Sequence, residues 1–256
     1  MKVKHLVGAF LCVLGCYACS SPKTEVQSPD GHIKMTLTVD ENGKPFYNVS
    51  VDDSLLIENS AMGFTAANGI ILAEGFQVKN TTFSSEDETW TQPCGENKKN
   101  RNHYNEMAVN LTNEDHVQLT LRFRVFDDGI GFRYEYTVPT VDSLLITDEL
   151  TTFRFHRDGT SWSIPASAET YELLYQQQPI SEVETANTPF TFKTADGVYG
   201  SIHEAALYDF PEMTLKQIGH YTLKAELAPW PDGIKARKGN HFTTSWRTVQ
   251  IAPEAV

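Results

Sequence analysis

The sequence predicts an all-β protein, built as one large sandwich of antiparallel sheets. Short runs in which apolar and polar residues alternate recur along the chain, and turn residues separate them. This pattern is typical of antiparallel strands that bury one face. Amphipathic helix patterns of ten or more residues are scarce, and the best of them, 168–177, is short. A chain of 256 residues is long enough to form a single large sandwich.

The first 19 residues predict an export signal. Two lysines precede an apolar run over 6–14 that is too short to span a bilayer. Val13-Leu14-Gly15-Cys16 resembles the bacterial lipobox, so we expect 1–19 to be a lipoprotein-type signal peptide with Cys16 as the lipidated residue. Cys19 is a second candidate for the lipidated residue, and cleavage near Ser20 without lipidation is the alternative. The expected location is the periplasm or the outer membrane, with a lipid anchor as the only membrane contact.

The folded domain is expected to begin after a short linker. Residues 20–31 are rich in Ser, Pro and charged residues and predict this linker, which leaves 32–256 for the sandwich. Ile33–Val39 alternates, Asn42-Gly43 is a hairpin turn signal, and Phe46–Val51 alternates again. These residues predict the first β-hairpin.

A second hairpin is predicted near the middle of the chain. Val117–Phe126 runs into the turn Asp127-Asp128-Gly129, and Ile130–Val138 returns with three aromatic residues on one face. The remaining predicted strands are Phe153–Phe155, Phe190–Lys193, Val198–Ile202, Thr214–Leu215, Tyr221–Leu227 and Ser245–Ile251.

Charge and cysteine content restrict the partners. The formal net charge is −12, and removal of 1–19, which holds two lysines and no acidic residue, makes it about −14. Such a charge argues against nucleic acid and anionic membrane surfaces as partners. Cys94 is the single cysteine outside the signal, so no disulfide is expected within the folded domain.

The polar strip Arg101–Glu106, with sequence RNHYNE, is the main candidate binding segment. Planar polar groups beside aromatic rings suit sugar hydroxyls. In an extended strand, Asn102 and Glu106 face one way and Arg101 and His103 the other. A structural strand that ties down neighbouring loops is the alternative.

No local pattern in the sequence indicates catalysis. Phosphate loops, serine-nucleophile elbows and His-Glu-x-x-His metal motifs are all absent from the sequence. Glycoside hydrolysis needs two carboxyl groups at a defined separation, and no spacing among the 33 acidic residues selects a pair. No residue is therefore assigned a catalytic role.

Several segments, taken in order, resemble the N-terminal domain of glycoside hydrolase family 97, the α-glucosidases and α-galactosidases of carbohydrate-degrading bacteria. The resemblance extends from Val26 to Ile251. The segments that carry it are Glu88–Trp90, Gly95–Glu96, Arg101–Glu106, Phe126–Glu135, Ile164–Pro165, Ser181–Val183, His203–Leu207 and Trp246–Thr248.

The resemblance implies a β-super-sandwich like that of galactose mutarotases, packed against a following (β/α)8 barrel that supplies the catalytic acids. By this resemblance the chain is an accessory domain without its barrel, and it is not expected to hydrolyse sugars alone. A glutamate of the accessory domain would ligate calcium beside barrel ligands. Glu172 takes that position, and Glu169 takes it if the alignment shifts. The implied carbohydrate carries α-linked glucose or galactose.

Two other functions remain open. The first is a free-standing lipidated carbohydrate-binding protein that uses Arg101, Asn102, His103 and Glu106 together with nearby Trp90. The second is a mutarotase-like enzyme, which would need a converging His and Glu from His103, Glu106, His203 and Glu204.

Cys94 departs from the family pattern, which has Trp there. A lost aromatic side chain at a core edge or domain interface would weaken docking of the barrel.

Overall fold

The computed structural model describes residues 23–67, 69–167 and 169–254, and they form an almost entirely β-stranded domain. Its regular helical segment is one short 3₁₀ turn, Ile180–Glu182, and no helix in the described residues is long and apolar enough to cross a membrane. The strands are β1 Glu25–Gln27, β2 Ile33–Val39, β3 Pro45–Val51, β4 Ser54–Ala61, β5 Phe64–Ala66, β6 Ile71–Leu72, β7 Gln77–Thr91, β8 Lys99–Thr112, β9 Gln118–Phe126, β10 Gly129–Thr137, β11 Ser143–Glu149, β12 Thr152–Arg154, β13 Gly159–Ser163, β14 Gln176–Pro179, β15 Thr185–Ala186, β16 Phe190–Thr194, β17 Tyr199–Ala205, β18 Met213–Gln217, β19 Thr222–Leu227, β20 Ala236–Gly239, β21 His241–Thr243 and β22 Trp246–Ala252.

The strands form one large sheet and three small ones, all antiparallel. The ten-stranded sheet has the order β14-β13-β16-β17-β22-β10-β9-β8-β7, and β21 also pairs with β10. The four-stranded sheets have the orders β1-β2-β3-β4, β20-β11-β5-β6 and β12-β19-β18-β15. This arrangement confirms the predicted all-β fold class with antiparallel sheets in a sandwich.

A continuous aromatic and aliphatic core lies between the sheets. Alternate residues of β10, including Phe132, Tyr134 and Tyr136, point into it and are fully buried. The Tyr47 hydroxyl donates to the Thr152 carbonyl at 2.8 Å, so its polar end is satisfied inside the core. Burial of these rings removes a large apolar area from water, and this is the main stabilisation of the sandwich.

The two predicted hairpins are present with nearly the predicted bounds. β2 and β3 pair across the Asn42-Gly43 turn, and Val39 lies opposite Pro45. β9 and β10 pair from Gln118 opposite Thr137 to Phe126 opposite Gly129. Alternation with a short turn is a local signal, which is why sequence alone located both hairpins.

Two segments differ in form from what their sequence patterns indicated. Residues 169–175, within the short helix-like pattern, form an exposed loop, and Gln176 begins β14; Ala168 lies outside the described residues. The segment predicted as a linker contributes β1, which pairs with β2. The predicted signal, including Cys16, also lies outside the described residues.

Candidate functional site

The polar strip lies on β8, in a long hairpin with β7 whose outer part extends beyond β9. Residues Tyr104–Thr112 of β8 pair with β9, whereas residues 99–103 pair with β7 alone. The connection over 92–98 contains Cys94, which is exposed. Cys94 is therefore not at a core edge. A position at a domain interface, the other expectation for this residue, stays a prediction.

The predicted sugar-contact residues of the outer hairpin bind other side chains of the same hairpin. The Arg101 guanidinium donates two hydrogen bonds of 2.7 Å to Asp87, and this contact lowers the pKa of the Asp87 carboxyl. Asn102 donates to Glu88 at 3.0 Å. These contacts stabilise the two-stranded ribbon and hold both polar groups in fixed orientations.

His103 and Glu106 lie on opposite faces of β8, as alternation predicted. Nδ1 of His103 is 3.6 Å from the Asp127 carboxylate. Glu106 is buried and accepts from Arg122 at 2.5 Å and from Arg124 at 2.8 Å. The structure therefore does not bring the four strip residues into one cluster, and their contact with sugar stays a prediction.

Glu106 is part of a network on the outer face of the large sheet. Arg122 and Arg133 both donate to Glu135, and although burial opposes it, these hydrogen bonds lower the pKa of Glu135. The guanidinium groups of Arg124 and Arg133 lie 4.7 and 4.8 Å from the ring centroid of Trp246. Cation–π contact and charge pairing satisfy this surface internally.

The His and Glu pairs that a mutarotase-like enzyme would need do not converge. Glu204 points inward, whereas the neighbouring His203 points outward and lies 3.1 Å from the Thr188 hydroxyl. Four strand spacings separate β17, which holds His203, from β8, which holds Glu106. At about 4.8 Å per strand this is roughly 19 Å, too far for joint acid–base catalysis.

Glu204 instead belongs to a buried ionic triad with Arg247 and Glu149. Arg247 donates to Glu149 at 2.9 and 2.5 Å and to Glu204 at 2.7 Å. The second oxygen of Glu204 accepts from the backbone N–H of Met213 at 3.0 Å. Burial raises the pKa of Glu204 despite the nearby arginine. The triad therefore connects the core to the loop 206–212, which precedes Met213.

Three loops meet through hydrogen bonds to Glu212, and we call residues 169–175, 206–212 and 228–235 the loop surface. The Tyr171 hydroxyl donates to the Glu212 carboxylate, which raises the pKa of Tyr171 to about 12. The backbone carbonyl of Glu212 accepts from the N–H of Ala228 at 3.0 Å. Glu212 therefore holds the three loops together.

The loop surface concentrates exposed apolar side chains. It holds seven of the thirteen large apolar residues that are exposed in the described part of the chain, although it is a small part of that chain. Leu174 is 88% exposed, Tyr208 81% and Trp230 60%. The other four are Tyr171, Leu173, Tyr175 and Leu207. Exposed apolar groups at this density mark an interaction surface.

Glu172, the predicted calcium ligand, lies exposed in the same loop surface. Its backbone N–H donates to the Thr170 hydroxyl at 2.9 Å, and its carboxylate has no hydrogen-bond or ion-pair partner among the described residues. Glu169 is exposed nearby. In the described ranges, no group of three or more His, Cys, Asp and Glu side chains is placed to hold a metal ion.

Sequence reasoning missed most of the loop surface and the role of Arg247. Trp230 stands between two prolines in the turn Ala228–Gly233, and an aromatic side chain fixed in such a turn is a signal of an exposed contact residue. Arg247 had no comparable signal, because its partners Glu149 and Glu204 are distant in the chain.

These features define a large β-sandwich domain with an apolar loop surface and no converging acid–base pair among its predicted site residues. The family model described as Glycosyl-hydrolase 97 N-terminal matches residues 26–256. The chain therefore belongs to this family of N-terminal domains of glycoside hydrolase family 97.

Solved structures agree with this assignment. A family 97 enzyme from Pseudoalteromonas sp. strain K8, solved in complex with acarbose, is 37% identical, with a TM-score of 0.87 over 91% of this chain. A variant of that enzyme was solved with panose. A β-arabinopyranosidase, 20% identical with a TM-score of 0.81 over 90% of this chain and 40% of its own, shares the fold. This chain spans 36% of the Pseudoalteromonas enzyme.

Proposed function

We propose that this chain is a non-catalytic N-terminal domain that docks through the loop surface onto the (β/α)8 barrel of a family 97 α-glycosidase. The single observation that carries the proposal is the density of exposed apolar side chains in these loops, with Leu174 and Tyr208 more than four-fifths exposed. Docking would remove these side chains from water, at roughly 25 cal/mol per Å² of apolar surface. The enzyme's substrates would be α-linked glucosides or galactosides.

Glu172 is proposed to supply one ligand to a calcium ion at this interface. Calcium takes six to eight oxygen ligands. The unpartnered carboxylate of Glu172 fits as one of them, and in the described residues no group of three or more His, Cys, Asp and Glu side chains is placed to complete the site. The other ligands would come from the barrel, so the domain alone is expected to bind calcium weakly.

A chimeric enzyme tests the docking proposal. This chain would replace the N-terminal domain of the Pseudoalteromonas enzyme, with which it shares 37% identity. We expect the chimera to hydrolyse an aryl α-glucoside or α-galactoside. Leu174→Asp and Tyr208→Asp should together lower thermal stability and activity, because each would place a charge against an apolar partner.

Leu55→Asp is the matched control, because Leu55 is also an exposed apolar residue but lies on β4, outside the loop surface. We expect this control to keep full activity. Equal losses in the loop and control variants, or no loss in either, would contradict docking through the loops.

A free-standing carbohydrate-binding protein is the second candidate. An open groove of about 700 Å³ favours it, since Asn105 and Glu106 of the polar strip line the groove beside the exposed ring of Phe83. Binding of maltose or melibiose that is lost in Asn105→Ala, together with an inactive chimera, would favour this function over docking.

Export with a lipid anchor is proposed from the sequence of residues 1–19. The anchor would hold the protein at the periplasmic side of a membrane or at the outer membrane, and Cys16 would carry it. Labelled palmitate should enter the wild-type protein and the Cys19→Ser variant but not Cys16→Ser. Absence of label from the wild-type protein would remove the anchor from the proposal.

A further inference from the structure

A pocket formed partly by the loop surface has a lining that suits a neutral sugar. Its volume is about 420 Å³, within the roughly 300–1,000 Å³ range of small-molecule pockets. Two turns and a strand form it, and its lining residues are Asp209, Phe210, Pro211, Ala228, Pro229, Trp230, Lys235, Ala236, Arg237 and Lys238.

The aromatic wall of the pocket is open to solvent and is carried by a backbone that is fixed in a turn. Trp230 is 60% exposed, yet its backbone is closed into a turn by hydrogen bonds to Ile234 and Gly233, both 2.8 Å. The guanidinium of Arg237 lies 5.8 Å from the Trp230 ring centroid. An exposed indole on a fixed backbone gives a flat apolar face on which the C–H face of a pyranose ring can stack.

The charged groups of the pocket occur as neutralised pairs. Lys238 donates to the Asp209 carboxylate at 2.9 Å, and Lys235 donates to Glu226 at 2.8 Å. Arg237 pairs with Asp232. Since each lining cation already has a carboxylate partner, the pocket has no excess positive charge with which to hold an anion.

The same pairs supply donors and acceptors in fixed directions. The side chain of Asp209 is 97% exposed although it is bound to Lys238, and that of Arg237 is 48% exposed. Carboxylate and guanidinium edges that are already paired can bind the hydroxyls of a saccharide at a smaller entropy cost than unpaired side chains. A purely apolar ligand would instead desolvate these charges without replacing their hydrogen bonds to water.

We infer that this pocket is an accessory saccharide subsite that holds a neutral oligosaccharide of α-linked glucose against Trp230, with Asp209 and Arg237 bonding its hydroxyls. The choice of sugar rests on the proposed function. Phe210 and Pro211 lie on the same loop as Tyr208 and Glu212, so the subsite lies within the loop surface, at the edge of the proposed domain interface, where ligand sites commonly occur.

Titration of the whole chain with maltotriose, followed by calorimetry and by tryptophan fluorescence, tests the inference. We expect saturable binding, weakened about tenfold or more by Trp230→Ala, since truncation of a central aromatic contact commonly removes most of the binding energy. Arg237→Gln should weaken binding several-fold, and glucose 6-phosphate should not bind more tightly than glucose. Tyr221→Ala is the control, since Tyr221 is also an exposed aromatic residue but lies next to β19, outside the lining of the pocket.

Three outcomes would overturn the subsite. They are no binding up to about 10 mM maltotriose, unchanged affinity in Trp230→Ala, and equal loss in the Tyr221→Ala control. Thermal unfolding of each variant checks folding, which an exposed side chain should barely affect. If maltotriose does not bind but the chimera is active, the subsite is rejected and the docking proposal stands. If the chimera is inactive but maltotriose binding depends on Trp230, docking is rejected and the subsite stands.

Discussion

Replacement of Arg247 by methionine is expected to destabilise the domain strongly. The side chain of Arg247 is 1% exposed, and those of its partners Glu149 and Glu204 are 0% and 5% exposed. Methionine has a similar length but no charge, so the variant leaves two carboxylates together in the core. Removal of one partner from a buried ion pair costs about 3–5 kcal/mol.

Both carboxylates lose their cation in this variant, so we expect a loss near the upper end, about 4–5 kcal/mol. A domain of this kind has about 5–15 kcal/mol of stability in total. For a chain of this size, such a loss corresponds to a fall in Tm on the order of 10 °C. Urea unfolding of wild-type protein and variant measures the difference directly.

The loss of stability in Arg247→Met should be larger at neutral pH than at mildly acidic pH. Burial raises the pKa of Glu204 above its usual 4.5, and Arg247 partly offsets this effect. A carboxyl whose pKa is raised in the folded state stabilises the fold below its unfolded pKa, and this contribution disappears as pH rises through the folded pKa. Without Arg247 the pKa of Glu204 rises further. The free energy of unfolding of the variant should therefore lie closer to that of wild type near about pH 5 than near about pH 7.5.

Arg101→Met is the matched control, because Arg101 makes equally short contacts with Asp87 but is exposed. An exposed pair contributes about 1 kcal/mol or less, so this variant should stay close to wild type. The reasoning fails if Arg247→Met costs less than about 1 kcal/mol, or if its cost is equal at the two pH values.

Two further changes test the calcium ligand and the chain geometry. Glu172→Gln in the chimera should raise the calcium concentration needed for activity on the order of tenfold, and Glu169→Gln should not; an unchanged requirement in the first variant would contradict the assignment. Gly43→Ala should cost about 1–3 kcal/mol in urea unfolding, because Gly43 has a φ of +74° and its new Cβ would lie 2.3 Å from the Phe76 nitrogen. Gly31→Ala, at a similar φ but in open space, should cost less, and equal losses would refute the steric part of the argument.

The β-strands were predictable where their signal is local. Alternation of apolar and polar residues in β2, β9 and β10 indicates which side chains face the core. The short turns after β2 and β9 indicate which strands pair. The helix-like pattern over 168–177 does not correspond to a helix, because a local pattern does not show whether the rest of the fold buries its apolar side chains. Leu173 and Leu174 are apolar, but nothing in the described sandwich buries them, and periodicity reports the side chains without their surroundings.

The candidate site was predictable only in part because its contacts join distant segments. Alternation correctly separated Glu106 from His103, yet the arginines that neutralise Glu106 come from β9, a different strand. Glu149 and Arg247 are 98 residues apart and meet only because β22 lies inside the ten-stranded sheet. Family resemblance predicted Glu172 as a calcium ligand, whereas Trp230 and its pocket emerged only from the folded arrangement of the loops.

Contacts from the sandwich hold the loop 206–212 in place. The triad carboxylate of Glu204 binds the Met213 N–H at the loop's end, and Lys238 binds the Asp209 carboxylate within it. An apolar loop that is already ordered loses less conformational entropy on association than a mobile one. Arg247→Met should therefore weaken barrel docking in the chimera although it changes no exposed side chain. Normal docking by this variant would show that the loop is ordered by the barrel and not by the triad.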